Sequence, residues 1–359
     1  MDRLGVLMTP EDGNLAEAEG VLNPAAVRGK DGQLYLFPRL VAKGNYSRIG
    51  IARVLFDKAG DPKGVERMGF ALSPEEDYER RSGGLGGCED PRVVFVEELD
   101  AYIMTYVAFS DDGPRVAIAY SKDLIKWTRL GRASFSPYDH IHFDGVPNKD
   151  SALFPAPIPN PNGKLTLGLL HRPLFPGTRP EEKAKFRDKE RDLHRESIWI
   201  SYSKLSFEDT NLDHIPRFTS HHRLASPIQP WEALKIGVGT PPTLCRHGWL
   251  GLYHGVADVG DKDKPHLQYS AGVLILREQN VLEFLYRSHE PVLQPELPEE
   301  KIGAVADVVF PTGIDRRDDL GQPDRFDVYY GMADDRIGVA RLEIPVRLPH
   351  GGRSDPNGD

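Results

Sequence analysis

Residues Gly86–Phe109 read GGCEDPRVVFVEELDAYIMTYVAF, a Glu-Asp-Pro-Arg turn (Glu89–Arg92) ahead of two runs rich in β-branched and aromatic residues. A Pro-stiffened entry to a strand holds an acidic side chain in one direction at little entropic cost, which suits a group that must meet a reacting atom. Taken alone, the stretch reads first as a charged surface turn. Its recurrence along the chain decides the matter.

The same frame occurs five times: a Pro-centred entry, a tight turn, an aromatic-rich inner strand and an outer strand. The entries surround Pro24, Pro91, Pro155, Pro242 and Pro311. The inner strands that follow are QLYLFPRL (Gln33–Leu40), AYIMTYVAF (Ala101–Phe109), KLTLGLLHRP (Lys164–Pro173), WLGLYHGV (Trp249–Val256) and RFDVYYGMAD (Arg325–Asp334). The turns GKDG, EELD, NPNG, RHG and DLGQPD supply the Gly, Asn and Asp that tight hairpins require. Repeated units of this length without long amphipathic helices predict an all-β fold, a five-bladed β-propeller. A β-sandwich would lack the shared frame, and a β-helix repeat is much shorter. Residues 1–346 are expected to form one propeller domain, and 347–359, polar and Gly-rich, a disordered tail. The third interval is lengthened by RPEEKAKFRDKERDLHRES (Arg179–Ser197), whose composition predicts a helical insertion, either a solvated surface helix or a lid or oligomer contact.

Composition narrows the function. The 359 residues are 39% apolar and 28% charged, with no apolar run of membrane-spanning length. The N-terminus has no apolar signal region, so cytoplasmic residence is the expectation. Net charge is −9 without a basic block, which argues against nucleic acid as a partner. Two distant cysteines, Cys88 and Cys245, make neither a disulfide framework nor a metal site and read as buried thiols. No metal or cofactor is expected, and a homo-oligomer remains open.

In a propeller the inner strands converge on the axis, so polar residues near their ends gather although distant in sequence. These are Arg39, Asn45, Ser47, Asp90, Arg92, Asn148, Lys149, Asp150, His171, Arg172, Lys235, His254 and Asp334. Lys149, Arg172, Lys235 and His254 together suit an oxyanion such as phosphate. Asp90 is then a proton donor to a leaving oxygen, provided that burial or like charge raises its pKa. If phosphate itself is the nucleophile, no second catalytic carboxylate is required. Asp150 and Asp334 are left to bind sugar hydroxyls or orient the cations. Glu89 and Arg92 are expected to hold the turn and tune Asp90.

The set GGCEDPR, NKDSALFP, LLHRP, WEALKIGVGTPP, LYHGV, VVFPTG and YYGMAD resembles glycoside hydrolase family 130, the β-mannoside phosphorylases and related β-mannosidases, over residues from about 23 to 345. The resemblance implies a five-bladed propeller that cleaves a β-mannoside with inorganic phosphate as co-substrate, inverting it to α-mannose 1-phosphate. It makes Asp90 the general acid, its proton passing through the mannose 3-hydroxyl. It places phosphate on Lys149, Arg172, Lys235 and His254, and the cleaved sugar on Asn45, Ser47 and Asp334. Arg39, Arg92, Asp150 and His171 join the expected substrate-binding set. Family members that hydrolyse lack much of the basic set, so its presence favours phosphorolysis. The alternatives are a hydrolase using water with Asp150 or Glu196 as base, and a non-catalytic carbohydrate-binding propeller.

Overall fold

The computed structural model describes residues 1–138, 141–143, 145–175, 195–208, 211–260 and 264–349. The chain is all-β, and the five sequence frames become five successive groups of antiparallel strands. In the second group the order is Gly86–Val96, Ala101–Ser110, Gly113–Ser121 and Thr128–Arg132. The first group (Gly20–Arg28, Leu34–Ala42, Tyr46–Phe56, Pro62–Leu72) joins it in one eight-stranded sheet. The link is a short parallel pairing of Tyr46 and Ser47 with Gly86 and Gly87. In the fifth group, Val309–Arg316, Arg325–Met332 and Arg336–Glu343 are completed by the N-terminal strand Asp2–Met8, which pairs antiparallel with Arg336–Glu343.

The inner strands are buried on both faces because each group packs between two others. In Ala101–Ser110, Tyr102, Met104, Tyr106 and Ala108 meet Phe37 and Ile49 of the first group. The alternate residues Ala101 and Ile103 meet Leu153 and Leu169 of the third. Each such large apolar side chain contributes on the order of 2 kcal/mol by leaving water. Similar clusters join the third group to the fourth (Ile200 with Tyr253), the fourth to the fifth (Leu252 with Val328) and the fifth back to the first (Tyr329 with Leu36). That return is also hydrogen-bonded, the Thr312 hydroxyl donating to the Pro24 carbonyl at 2.8 Å.

Each innermost strand is interrupted at a comparable level. Register shifts fall at Leu22/Ala25, Glu89/Arg92, Lys149/Ala152 and Pro311/Gly313. The fourth strand is split into Lys235–Val238 and Thr243–Cys245, both paired with Gly248–Asp258. In three groups the interruption puts an Asx residue in left-handed backbone: Asn23 (φ 45°), Asp90 (47°) and Asp150 (51°). Asn and Asp tolerate that region better than other side chains, and a bulge re-aims the side chain it carries.

Four groups share a polar clasp on the segment that leads into their innermost strand. Glu79, buried, accepts from the backbone N–H of Glu75 and Glu76 (2.8 and 3.1 Å), from Arg129 Nε (2.8 Å) and from the Tyr106 hydroxyl (2.6 Å). Glu300 accepts from the N–H of Glu296 and Leu297, from Arg3 Nε (2.8 Å) and from the Tyr330 hydroxyl (3.0 Å). Glu232 pairs with Arg287 (2.6 Å) and Glu17 with Arg67 (2.9 Å). In every case the arginine stands on the outermost strand of its group, so the clasp spans the sheet from entry to edge. These outermost strands, Asp2–Met8 included, are absent from the sequence-based frame.

The expected helical insertion at 179–197 lies outside the described residues except for Arg195–Ser197, which run into the strand Ile198–Ser203. The expected tail lies outside them from residue 350 onward. Cys88 is buried as expected, whereas Cys245 is partly exposed and corrects that expectation, because it sits beside the surface turn at Arg246–Gly248. Among the described residues no helix is long and apolar enough to cross a membrane, and no cluster of His, Cys, Asp and Glu could hold a metal ion.

Candidate active site

Two polar clusters form where the strand interruptions come together. The first is built on Arg39, which leaves the strand Leu34–Ala42 largely buried. Its guanidinium donates to Ser47 Oγ (3.0 Å), Asn45 Oδ1 (3.0 Å), Glu89 Oε1 (2.8 Å) and Asp90 Oδ1 (3.3 Å). Asp90 Oδ1 also accepts from Asn23 Nδ2 at 2.9 Å. Asp334 enters from the hairpin after Arg325–Met332, in left-handed backbone (φ 51°) like Asn45 (φ 57°) in the matching hairpin of the first group.

Electrostatics sort the three carboxyls. Burial, the largest influence, pushes Asp90 up, but Arg39, the Asn23 hydrogen bond, Arg92 and Lys149 outweigh it and hold Asp90 below its ordinary value. A proton donor needs a raised Asp90, and here the Arg39 guanidinium on the carboxylate holds it lower instead. Glu89 goes the other way, raised by burial and by the Asp90 charge against the pull of Arg39. Asp334 is pushed up to about 6 by burial and the neighbouring Asp90 and Glu89 charges.

The second cluster is cationic. Lys149 and Arg172 face each other across the pair Asn148–Leu153 and Gly168–Pro173. Arg172 Nε donates to Asp150 Oδ2 at 2.5 Å, and its Nη1 to Glu196. Burial pushes Asp150 up, but Arg172, His254 and Lys149 outweigh it and hold the carboxyl well below the usual range. His254 Nε2 lies 3.5 Å from Asp150 Oδ2. Gly237 permits this approach, since a Cβ there would come within 2.3 Å of Asp150 Oδ2 and 2.4 Å of His254 Cε1. Burial drops His254 to about 3, so its ring is neutral; it lies tilted against Phe310 with ring centroids 4.3 Å apart, and neither ring nitrogen has a hydrogen-bond partner among the described residues. Lys235 is brought down to about 8 by burial and Arg172, and its Nζ stands 5.4 Å over the Tyr269 ring. Neither Lys149 nor Lys235 forms an ion pair among the described residues. Lys149 joins the clusters, its charge acting on Glu89, Asp90, Asp150 and Asp334 alike.

The structure thus brings together ten of the expected residues: Arg39, Asn45, Ser47, Asp90, Asp334, Lys149, Asp150, Arg172, Lys235 and His254. Two others take different places. Arg92 is 1% exposed and donates to the carbonyls of Asp90 (3.0 Å), Pro91 (3.1 Å), Val238 (3.5 Å) and Gly239, bracing the second group against the fourth. His171 alternates with Arg172 and so faces the other way, hydrogen-bonded to Asn148 and to Ser201 Oγ (2.7 Å) and held neutral by burial. Asn23 and Tyr269 escaped the sequence reading. Asn23 precedes Pro24 as Asp90 precedes Pro91, a signal that the repeat alignment contains; nothing local marks Tyr269.

The sequence model of glycoside hydrolase family 130, described as beta-1,4-mannooligosaccharide phosphorylase, matches residues 5–346. The chain belongs to this family. A 1,2-beta-oligomannan phosphorylase of Thermoanaerobacter sp. (strain X514) is 31% identical to this family 130 chain over 344 residues, 94% of this chain and 95% of the relative. A beta-1,4-mannooligosaccharide phosphorylase of Ruminococcus albus is 28% identical over 77% of this chain and 68% of its own. In fold, the family 130 chain matches the beta-1,2-mannobiose phosphorylase of Listeria innocua, solved with beta-1,2-mannobiose, at a TM-score of 0.67 with 23% identity, covering 94% of each chain. The protein is accordingly an enzyme.

Proposed function

We propose that this enzyme is an inverting β-mannoside phosphorylase that transfers the mannosyl group to inorganic phosphate, giving α-mannose 1-phosphate. The observation that carries the reading is the gathering of His254, buried with neither ring nitrogen hydrogen-bonded among the described residues, with Lys235, Lys149 and Arg172 beside a carboxyl cluster. Buried polar nitrogens are costly when unpaired, and neutral His beside three cations suits an oxyanion that accepts from all of them. Asp90 supplies the proton to the leaving oxygen, relayed by a sugar hydroxyl, and Arg39, Asn45, Ser47 and Asp334 hold the sugar. Substrate that displaces Arg39 or screens it from Asp90 raises the proton affinity of Asp90 to what the step needs. The full-length relative acting on β-1,2-oligomannan favours a β-1,2 linkage. The five groups are read as the blades of one five-bladed propeller, supported by their cyclic packing and the N-terminal strand that completes the last.

The assay is release of mannose 1-phosphate from β-1,2- and β-1,4-linked mannobiose, with and without phosphate. Phosphate-dependent product, abolished by Asp90→Asn, is the expected result; cleavage indifferent to phosphate overturns it. Glu196, a second carboxylate on Arg172, favours one competing reading, hydrolysis with water activated there. A solved relative of 21% identity concerns family members that hydrolyse β-1,2-mannosidic linkages. Under hydrolysis, Arg172→Ala leaves cleavage largely intact.

A further inference from the structure

Glu89 has no part in the reaction as described, yet its side chain is 6% exposed and aimed into the site. Had it served only to hold the Glu89–Arg92 turn, its carboxylate would lie on the backbone of that turn. Instead it accepts from Arg39 Nη2 at 2.8 Å and from Ser47 Oγ at 3.4 Å, both of the first group. The same guanidinium touches Asp90 Oδ1 at 3.3 Å.

We propose that Glu89 is a positioning residue for the acid step, sharing Arg39 with Asp90 so that Asp90 can carry the proton it delivers toward the leaving oxygen. The proposal rests on the reading of Asp90 as the acid. Charged groups face this pair from four groups of strands: Arg39 from the first, Arg92 from the second, Lys149 from the third and Asp334 from the fifth. Three positive charges against Asp90 alone favour its ionised form and deplete the acid. Glu89 and Asp334 offset them. Besides burial, the Asp90 charge raises Glu89, and both charges raise Asp334, so a proton taken up by one carboxyl is felt by the others and removing a negative charge from the set lowers the affinity for it. The raised Glu89 and Asp334 agree with such a shared proton. In the step itself a phosphate oxygen bonds to the anomeric carbon as its bond to the leaving oxygen breaks. The electron pair stays on that oxygen, which gains the proton, and Asp90 is left as a carboxylate against Arg39.

The test is the pH dependence of kcat/KM on a β-mannoside with phosphate for the wild type, Glu89→Gln and Glu89→Asp, beside Asp90→Asn. The acid is common to phosphorolysis and hydrolysis, so whichever turnover is observed serves. Glu89→Gln is expected to move the alkaline limb toward acid by about one pH unit, a roughly tenfold loss above the limb with little loss at the acid end. Glu89→Asp, which keeps the charge but retreats from Arg39, moves it less in the same direction and decides the matter if Glu89→Gln does not fold. A rate lowered equally at every pH, or an unmoved limb, overturns the proposal while Asp90→Asn remains inactive. An active Asp90→Asn overturns the acid assignment itself, and this inference with it.

Discussion

Lys235 shows how far a single residue's environment sets its use. Its ammonium is tethered at the start of Lys235–Val238, where burial and Arg172 bring it down to about 8 while Asp150 pulls the other way. The charged form therefore prevails below pH 8 and is lost above it. If Lys235 binds phosphate, the KM for phosphate rises severalfold between pH 7 and 9, and Lys235→Arg, whose guanidinium stays charged, flattens that rise. Initial rates at varied phosphate check it; a wild-type KM that ignores pH counts against Lys235 as a phosphate ligand. Asp90 teaches a related lesson. Its place before Pro91 was legible, but its ionisation was not, because the charge that depresses it belongs to Arg39, fifty-one positions earlier in the chain.

At the scale of the element, the buried Glu–Arg clasp does for four of the groups what a hydrophobic seam cannot, tying the entering segment to the far edge. Glu300, like Glu79, has two backbone N–H donors, an arginine (Arg3) and a tyrosine (Tyr330) around a carboxylate that has no exposed surface. Burial pushes Glu300 up, but Arg3 and the two N–H groups outweigh it and lower its pKa. A carboxyl lower in the folded state than in the unfolded one stabilises above the unfolded value, about 4.5, and that stability is lost as pH falls through the folded value. Glu300→Gln is expected to cost about 2 kcal/mol at neutral pH and to flatten the acid side of the stability profile, leaving kcat per folded molecule unchanged. Denaturant unfolding at pH 7 and pH 4 measures both. A penalty as large at pH 4 as at pH 7 would show that the Gln side chain disturbs packing and not charge.

At the scale of the molecule, the fifth group is completed by the N-terminal strand, which pairs with the last strand of the fold, Asp2–Met8 against Arg336–Glu343. Removing residues 1–8 bares that edge and strands Glu300 without Arg3. Thermal unfolding of the truncated chain is expected at a markedly lower temperature, with association through the open edge seen by size exclusion. Grafting the same residues after residue 346 should restore much of the stability; if it does not, the strand acts through more than pairing. Much of this architecture was written in local chemistry. Turn residues, aromatic inner strands and the repeated Pro entries specify strands and hairpins because those signals act over a few neighbouring residues, and they carried the all-β class and ten of the residues that the fold brings together in the candidate site. The family too was legible, because its motifs are short and contiguous. What required the folded chain was everything set by approach between groups. His171 faces away from the cluster, and Arg92, expected to hold its own turn, also reaches the carbonyls of the fourth group, since alternation and the neighbouring sheet decide which way a strand residue points. The outermost strands, the N-terminal one included, lack a marked pattern, being half exposed and specified by their partners. The proton balance among Glu89, Asp90 and Asp334 exists only where three carboxyls from two groups meet one guanidinium from a third part of the chain, an electrostatic sum over distance that no stretch of sequence contains.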